Sequence, residues 1–368
     1  PDTDLPPWLD PPHLLTVAGH ELTVYTEFPQ LLAAMLRDMS EARQRIWVET
    51  YIFANDSAGQ ALAQMLQTKA RSGLDVRVLY DTIGSQNTST TFFTELVRAG
   101  VKVHAFHSWS EALYRLRLFS IMNKRDHRKL MVIDDHVGYF GGMNIIDTRS
   151  TPYPPTRRQQ PEPPISSGWR DVHIRLVGPQ QPELAESFER SWLSAHGQKV
   201  PRRPKSYRRA RLPGLNGHTP LPDSQHGHGA KGIVESIHFF DSGPGLKNSR
   251  AARVFSRLLR RAQFSVIMSM AYFLPIGRVL RNMLRARRHG ARVRIIVPAR
   301  IDVPLLQRAS THLYSRLLKH GLRLYERQNR MIHAKLMVVD HTWTVVGSCN
   351  LDPRSLWINL EFLAVIRS

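Results

Sequence analysis

Residues 127–134 read HRKLMVID and residues 333–340 read HAKLMVVD. The phrase His-x-Lys-x4-Asp therefore occurs twice, once in each half of a 368-residue chain. Each copy runs on into a turn of small residues and an asparagine. The first continues Gly141-Gly142-Met143-Asn144 and the second Gly347-Ser348-Cys349-Asn350, with the same distance from His to Asn. One short motif arises by chance; two with matching extensions mark an internal duplication. In each copy four apolar, β-prone residues follow the lysine, Leu130–Ile133 and Leu336–Val339, and fit a buried strand. His127 and Lys129 are two apart, as are His333 and Lys335, which at strand period puts each pair on one face. Asp134 and Asp340 lie at an odd offset and fall on the other face or in the turn. The reading is a chemical His-Lys pair and a structural aspartate in each copy.

The flanking sequence repeats as well. The first half suggests a helix over 29–42, a strand over 45–53, a helix over 59–72 closed by Gly73, and a strand over 75–80. The second half suggests a helix over 249–262, a strand over 264–273, a helix over 276–289 closed by Gly290, and a strand over 292–298. Such alternation predicts an α/β fold with sheets covered on both faces. The expected organisation is a lead-in at 1–13, a first half at 14–196, a basic Pro/Gly-rich linker at 197–230 and a second half at 231–368. The first half also holds an insertion near 107–126, where apolar Leu113, Leu116 and Phe119 alternate with Arg115 and Arg117. It suits either an interfacial segment or a lid on its own domain.

Charge bounds the partners. Lys and Arg number 51 against 30 Asp and Glu, a formal net charge of +21. Such a chain favours polyanions: nucleic acid, anionic lipid surfaces or phosphorylated substrates. The linker carries a run of Lys and Arg without an acid between Lys199 and Arg211, fit for a solvated tether or for attraction to an anionic membrane. The single Cys349 cannot form an internal disulfide. No Cys/His set has zinc spacing, no acidic cluster suggests magnesium, and no metal or other cofactor is expected. No segment reaches the ~20 apolar residues of a spanning helix, and no signal pattern is visible at the N-terminus. The expectation is a soluble or peripheral monomer.

A histidine beside a fixed cation suits phosphoryl chemistry. The lysine neutralises non-bridging oxygens, and the asparagine adds donors after a turn whose small residues let the backbone approach. Two copies supply two His, two Lys and two Asn to one phosphate. One imidazole attacks phosphorus while the other protonates the leaving oxygen.

These residues resemble the phospholipase D superfamily, whose hallmark is the duplicated His-Lys-Asp motif, and within it the bacterial cardiolipin synthases. The resemblance covers roughly residues 20–368. It rests also on GLDVRVLYD at 73–81, NKRDHRK at 123–129, WRDV at 169–172, YFLP at 272–275 and NLDPRS at 350–355. It implies two similar halves, each a central mixed sheet flanked by helices, packed with pseudo-two-fold symmetry around one active site. It implies a two-step transfer through a phosphohistidine, with His127, Lys129, His333 and Lys335 catalytic and Asn144 and Asn350 binding substrate. By the same resemblance Asp171 orients His127 and Glu361 orients His333. His127 is assigned as nucleophile by analogy and His333 as general acid, then base; the near-symmetry allows the reverse. The implied activity is phosphatidyl transfer between phospholipids at the cytoplasmic face of a bacterial inner membrane. Hydrolysis by the same set, or cleavage of nucleic acid, are the alternatives. Against the last, no stacking groove of interleaved aromatics is evident. A non-enzymatic scaffold fits poorly with two intact motifs.

Overall fold

A computed structural model describes residues 10–106, 124–148, 168–200, 234–243, 249–328 and 330–368. Most of the lead-in, the insertion, the proline-rich stretch after Thr148 and the basic linker lie outside the described residues. The first half runs β1 (His13–Val17), β2 (His20–Tyr25), α1 (Phe28–Glu41), β3 (Arg45–Thr50), α2 (Ser57–Arg71), β4 (Asp75–Asp81), α3 (Thr90–Arg98), β5 (Lys102–Phe106), β6 (Leu130–Ile133), β7 (Val137–Gly141), β8 (His173–Val177) and α4 (Gln181–Ala195). The second runs β9 (Ser236–Ser242), α5 (Arg250–Arg261), β10 (Ser265–Met270), α6 (Gly277–Arg288), β11 (Arg292–Pro298), α7 (Pro304–Lys319), β12 (Arg323–Arg327), β13 (Lys335–Val339), β14 (Trp343–Gly347), α8 (Pro353–Trp357) and β15 (Glu361–Arg367).

The sheets share one topology. Their strand orders are β1-β2-β8-β7-β6-β3-β4-β5 and, read from the matching end, β9-β15-β14-β13-β10-β11-β12. Without the edge strand β1 the two correspond position by position. In each, three neighbouring strands joined by helices pair in parallel, and the motif strand β6 or β13 starts an antiparallel run. Side-chain capping sets several helix starts. Asp56 accepts from Gly59 N at 2.9 Å ahead of α2, and Ser249 accepts from Ala252 N at 3.1 Å ahead of α5. Gly73 and Gly290 end α2 and α6 with φ of 89° and 97°, a conformation that disfavours any side chain.

Strand period sorts the core. From β3, Ile46 and Val48 face the helices of the first half; from β6, Met131 and Ile133 do the same. Trp47, Leu130 and Val132 face the other way, into a third cluster built from both halves. That cluster joins Leu184 and Phe188 of α4 to Phe239, Val346, Phe362 and Ala364 of the second sheet. Phe140, Phe239 and Phe362 meet there with ring centroids 5.4–5.9 Å apart. The halves thus share a hydrophobic core, and truncating one such phenylalanine costs about 3–5 kcal/mol. One expectation needs correction. The strands predicted to reach Phe53 and Phe273 leave the ladder at Thr50 and Met270, because the next backbone donors turn toward the asparagines of the motif extensions.

Candidate active site

The two motif strands carry their histidines on the residues leading into them. There each lead-in is bridged to the opposite half. Asp126 pairs with Leu360 and Arg170 with Ile332. His127 N donates to Leu360 O at 3.0 Å, and His333 N donates to Arg170 O at 2.6 Å. Each histidine is therefore laid beside the segment that carries the other half's carboxylate. His333 Nδ1 lies 2.6 Å from Asp171 Oδ2, and His127 Nδ1 lies 3.2 Å from Glu361 Oε2. The expected assignment, Asp171 to His127 and Glu361 to His333, is overturned. Order along the chain suggested pairing within a half, whereas the backbone bridges enforce pairing across it.

Strand register shows that the two carboxylates are equivalent. Gly141 pairs with His173 and Gly347 with Leu363; two residues back from each partner stand Asp171 and Glu361. The surroundings differ. A Cβ placed on Gly142 would sit 2.2 Å from Asp171 Oδ1, so only glycine fits there. The matching residue in the second half is Ser348, whose hydroxyl donates to Glu361 Oε2 at 2.5 Å. Its carbonyl oxygen lies 3.1 Å from His127 Nδ1. A carbonyl only accepts, so Nδ1 of His127 carries the hydrogen and Nε2 is left with the lone pair.

Every member of the set is buried. Burial first, then the charges of Lys129 and Lys335, hold His127 well below the ordinary histidine range. Burial and Lys335 also lower His333, but Asp171 opposes them. Lys335 Nζ stands 3.5 Å from Asp171 Oδ2 and 2.7–3.2 Å from the ring nitrogens of His333. Burial would raise Asp171, yet the charges of Lys335 and His333 outweigh it and keep the carboxyl below its usual range. Glu361 goes the other way: burial, countered by the Ser348 hydroxyl and Lys129, lifts it to about 8. Burial brings Lys129 down to about 7 and lowers Lys335. The resting site holds crowded nitrogen bases with suppressed positive charge. An anion placed among them restores that charge, as a phosphodiester site requires.

The asparagines are fixed by their carbonyl ends. Asn144 Oδ1 accepts from Ile52 N at 3.2 Å, and Asn350 Oδ1 accepts from Tyr272 N at 3.3 Å. That leaves each amide nitrogen to donate. The motif aspartates stand apart from the chemistry. Asp134 accepts from the backbone of Arg43, Gln44 and Arg45 at 2.8–3.0 Å; Asp340 accepts from Gln263, Phe264 and Ser265 at 2.8–2.9 Å. Both sit at positive φ, 49° and 52°, in the turn after the strand.

Other residues complete the site. The rings of Tyr51 and Trp169 lie 5.0 Å from His127 and His333 respectively. Arg128 ties the halves beneath His127, reaching Glu49 and Asp126 at 3.3 Å and Asp241 at 3.8 Å. Arg330 grips Glu27 at 3.0 and 2.5 Å and Gly168 O at 2.7 Å, fixing the approach to His333. Tyr51 escapes the duplication argument because the ladder aligns Ile46 with Val266, and so sets Tyr51 opposite Ala271 rather than an aromatic.

A family model described as cardiolipin synthase, PLD-like domain, matches residues 35–153 and 255–368. The chain is 31% identical over 355 residues to the major cardiolipin synthase of Bacillus subtilis, covering 96% of this chain and 67% of that protein. It is 29% identical to the cardiolipin synthase of Listeria innocua over 94% of its own length, but spans 65% of that relative. A solved structure of phosphatidylserine synthase from Haemophilus influenzae shares the fold, with a TM-score of 0.64 at 15% identity over 97% of this chain and 84% of that one.

Proposed function

We propose phosphatidyl transfer for this chain, which belongs to the phospholipase D-like cardiolipin synthase family. The observation that supports it best is the crossed pair of buried contacts between histidine and carboxyl at the seam of two equivalent sheets. In the first step Nε2 of His127 attacks the phosphorus of a phospholipid. The P–N bond forms as the P–O bond to the head-group alcohol breaks, and His333 gives its proton to the leaving oxygen. In the second step neutral His333 takes the proton of an acceptor lipid's hydroxyl. That oxygen attacks phosphorus, and His127 is released. Lys129, Lys335 and the asparagine amides supply the charge and donors that hold the non-bridging oxygens through both steps.

The division of roles follows from the two carboxyls. An attacking imidazole must be neutral, which suits His127 beside a largely protonated Glu361. An acid must hold a proton, which suits His333 on the ionised Asp171. Water as acceptor would make the reaction hydrolysis. The surplus of Lys and Arg favours an anionic bilayer surface, and no helix among the described residues is long and apolar enough to cross a membrane.

The test offers the purified protein phosphatidylglycerol vesicles and, separately, plasmid and single-stranded DNA, all with EDTA, and follows the lipids by mass spectrometry. Cardiolipin with release of glycerol is expected, and His127→Ala and His333→Ala should each abolish it. Cleavage of DNA with no lipid turnover would overturn the proposal.

A further inference from the structure

The catalytic crevice is walled by Phe28, Asn144, Thr148, Trp169, Asp171 and His333. Phe28 also lines a second, larger hollow of about 310 Å³, the size at which ligand pockets begin. That hollow runs along α1 and faces the start of α2. Its floor is a stripe of Phe28, Leu32 and Leu36, spaced i, i+4, i+8 on one face of the helix, about 12 Å from end to end. Small side chains, Ala33, Ser57 and Ala58, line its sides, where larger ones would fill it. The segment 146–148 joins the two spaces: Ile146 and Thr148 line the crevice while Asp147, between them, lines the groove. Asp147 is held in place there, accepting from Ser57 Oγ at 3.2 Å and donating its N–H to Asp56 Oδ2 at 2.7 Å.

We infer that this groove takes an acyl chain of the phospholipid whose phosphate lies between the two histidines. The inference rests on the reading of the site as one for phospholipids. A largely apolar groove that shares Phe28 with the phosphate crevice, across the 146–148 segment, suits a ligand with a charged head and an apolar tail. Leu32 and Leu36 pack on the core of the first half and are only partly buried among the described residues.

Two measurements on the full chain separate this inference from the proposed reaction. The first is binding of a lysophosphatidylglycerol with a fluorescent dodecanoyl chain, below its micellar concentration and independent of turnover. Ala33→Trp fills the groove from its rim and should weaken binding roughly tenfold, the loss expected when about two buried methylenes are displaced. Ala33→Ser leaves the space open and should change it less than about twofold. Ser57→Trp, from the opposite wall, should repeat the loss if Ala33→Trp folds poorly. The second is turnover of dihexanoyl against dimyristoyl phosphatidylglycerol in detergent, where Ala33→Trp should impair only the longer lipid. No binding to the wild type, equal binding by Ala33→Trp and wild type, or equal impairment on both chain lengths overturns the inference. If the wild type turns over neither lipid, the proposed transfer fails and the binding result still decides the groove.

Discussion

Replacing Asp171 by Asn should damage the enzyme far more than replacing Glu361 by Gln, although the two carboxyls occupy equivalent positions. Asp171 lies 2.6 Å from His333 Nδ1 and is kept ionised by Lys335 and by His333 itself. Its substitution removes a buried, charge-assisted hydrogen bond worth about 1.5–3 kcal/mol, or roughly 10- to 150-fold in rate. Glu361, lifted to about 8 by burial, favours its neutral form at pH 7. Gln then replaces a neutral group with a neutral group. The Ser348 carbonyl still holds Nδ1–H of His127, so the loss should stay within about 0.5–1.5 kcal/mol, a factor of roughly 2 to 12. The pH profile carries the sign. Asp171 is what raises His333 against burial and Lys335; without it the imidazolium is harder to form. Since the acid must be protonated to act, the fall of kcat at high pH should begin at lower pH in Asp171→Asn. Glu361→Gln should leave that limb in place. The assay is kcat and kcat/KM for phosphatidylglycerol in mixed micelles across pH. Equal losses in the two variants, or an unmoved alkaline limb in Asp171→Asn, would refute the assignment of His333 as the acid on an ionised partner.

Four further outcomes follow from the same contacts. In ¹⁵N spectra of the imidazoles, Asp171→Asn should move Nδ1 of His333 and Glu361→Gln that of His127; the reverse would contradict pairing across the halves. Gly142→Ala forces a methyl to 2.2 Å from Asp171 Oδ1 and should reproduce the pH profile of Asp171→Asn, whereas a wild-type profile would show that the carboxylate has room to yield. Asp134→Ala strips an acceptor from three backbone donors and should cost about 2–3 kcal/mol in urea denaturation at neutral pH. Because folding lowers the pKa of Asp134, that stabilisation is present above the unfolded-state pKa and is lost as pH falls through the folded one. The penalty should therefore shrink in acid, and a constant penalty would mean the ionised carboxylate is not what holds the turn. Arg128→Ala leaves Glu49 and Asp126 buried without their cation and should cost about 3–5 kcal/mol; a loss below about 1 kcal/mol would mean the cation does not stabilise the seam.

What a sequence displays is what repeats. The doubled phrase exposes His127, Lys129, His333 and Lys335, and the matched extensions expose both asparagines, because duplication kept residue type and spacing together. The alternation of helix and strand is readable for the same reason, as is the odd offset that sends Asp134 and Asp340 out of the site into a capping turn. The partner of each histidine is not readable in this way. It depends on which strand edges meet when the halves close, and Asp126 bridging Leu360 is a contact across more than 200 residues that no local spacing encodes. Edge strand β1 is equally silent, since it has no counterpart in the second half.

The departures from symmetry are more informative than the symmetry. A strictly duplicated site would hold two identical histidines, and only the direction in which the substrate lies would decide which one attacks. Here three linked exchanges break the tie: Glu361 for Asp171, Ser348 for Gly142, and a 3.2 Å contact for one of 2.6 Å. Glycine at 142 lets the shorter carboxylate sit against the backbone, close to Lys335, where it stays charged. Serine at 348 supplies the longer carboxyl with a hydroxyl, while the backbone carbonyl at that position holds Nδ1–H of His127, so His127 keeps its tautomer without needing an anion beside it. If this is the source of the division of labour, putting serine at 142 should erode it from the side of Asp171, with or without glycine at 348. Gly142→Ser would displace Asp171, whereas Ser348→Gly would remove the hydroxyl that favours the ionised form of Glu361 and so leave that carboxyl more fully protonated. The double variant should then show the fall of kcat at high pH beginning at lower pH than in the wild type, as in Asp171→Asn. A double variant that keeps the wild-type profile would place the asymmetry in the carboxyls alone.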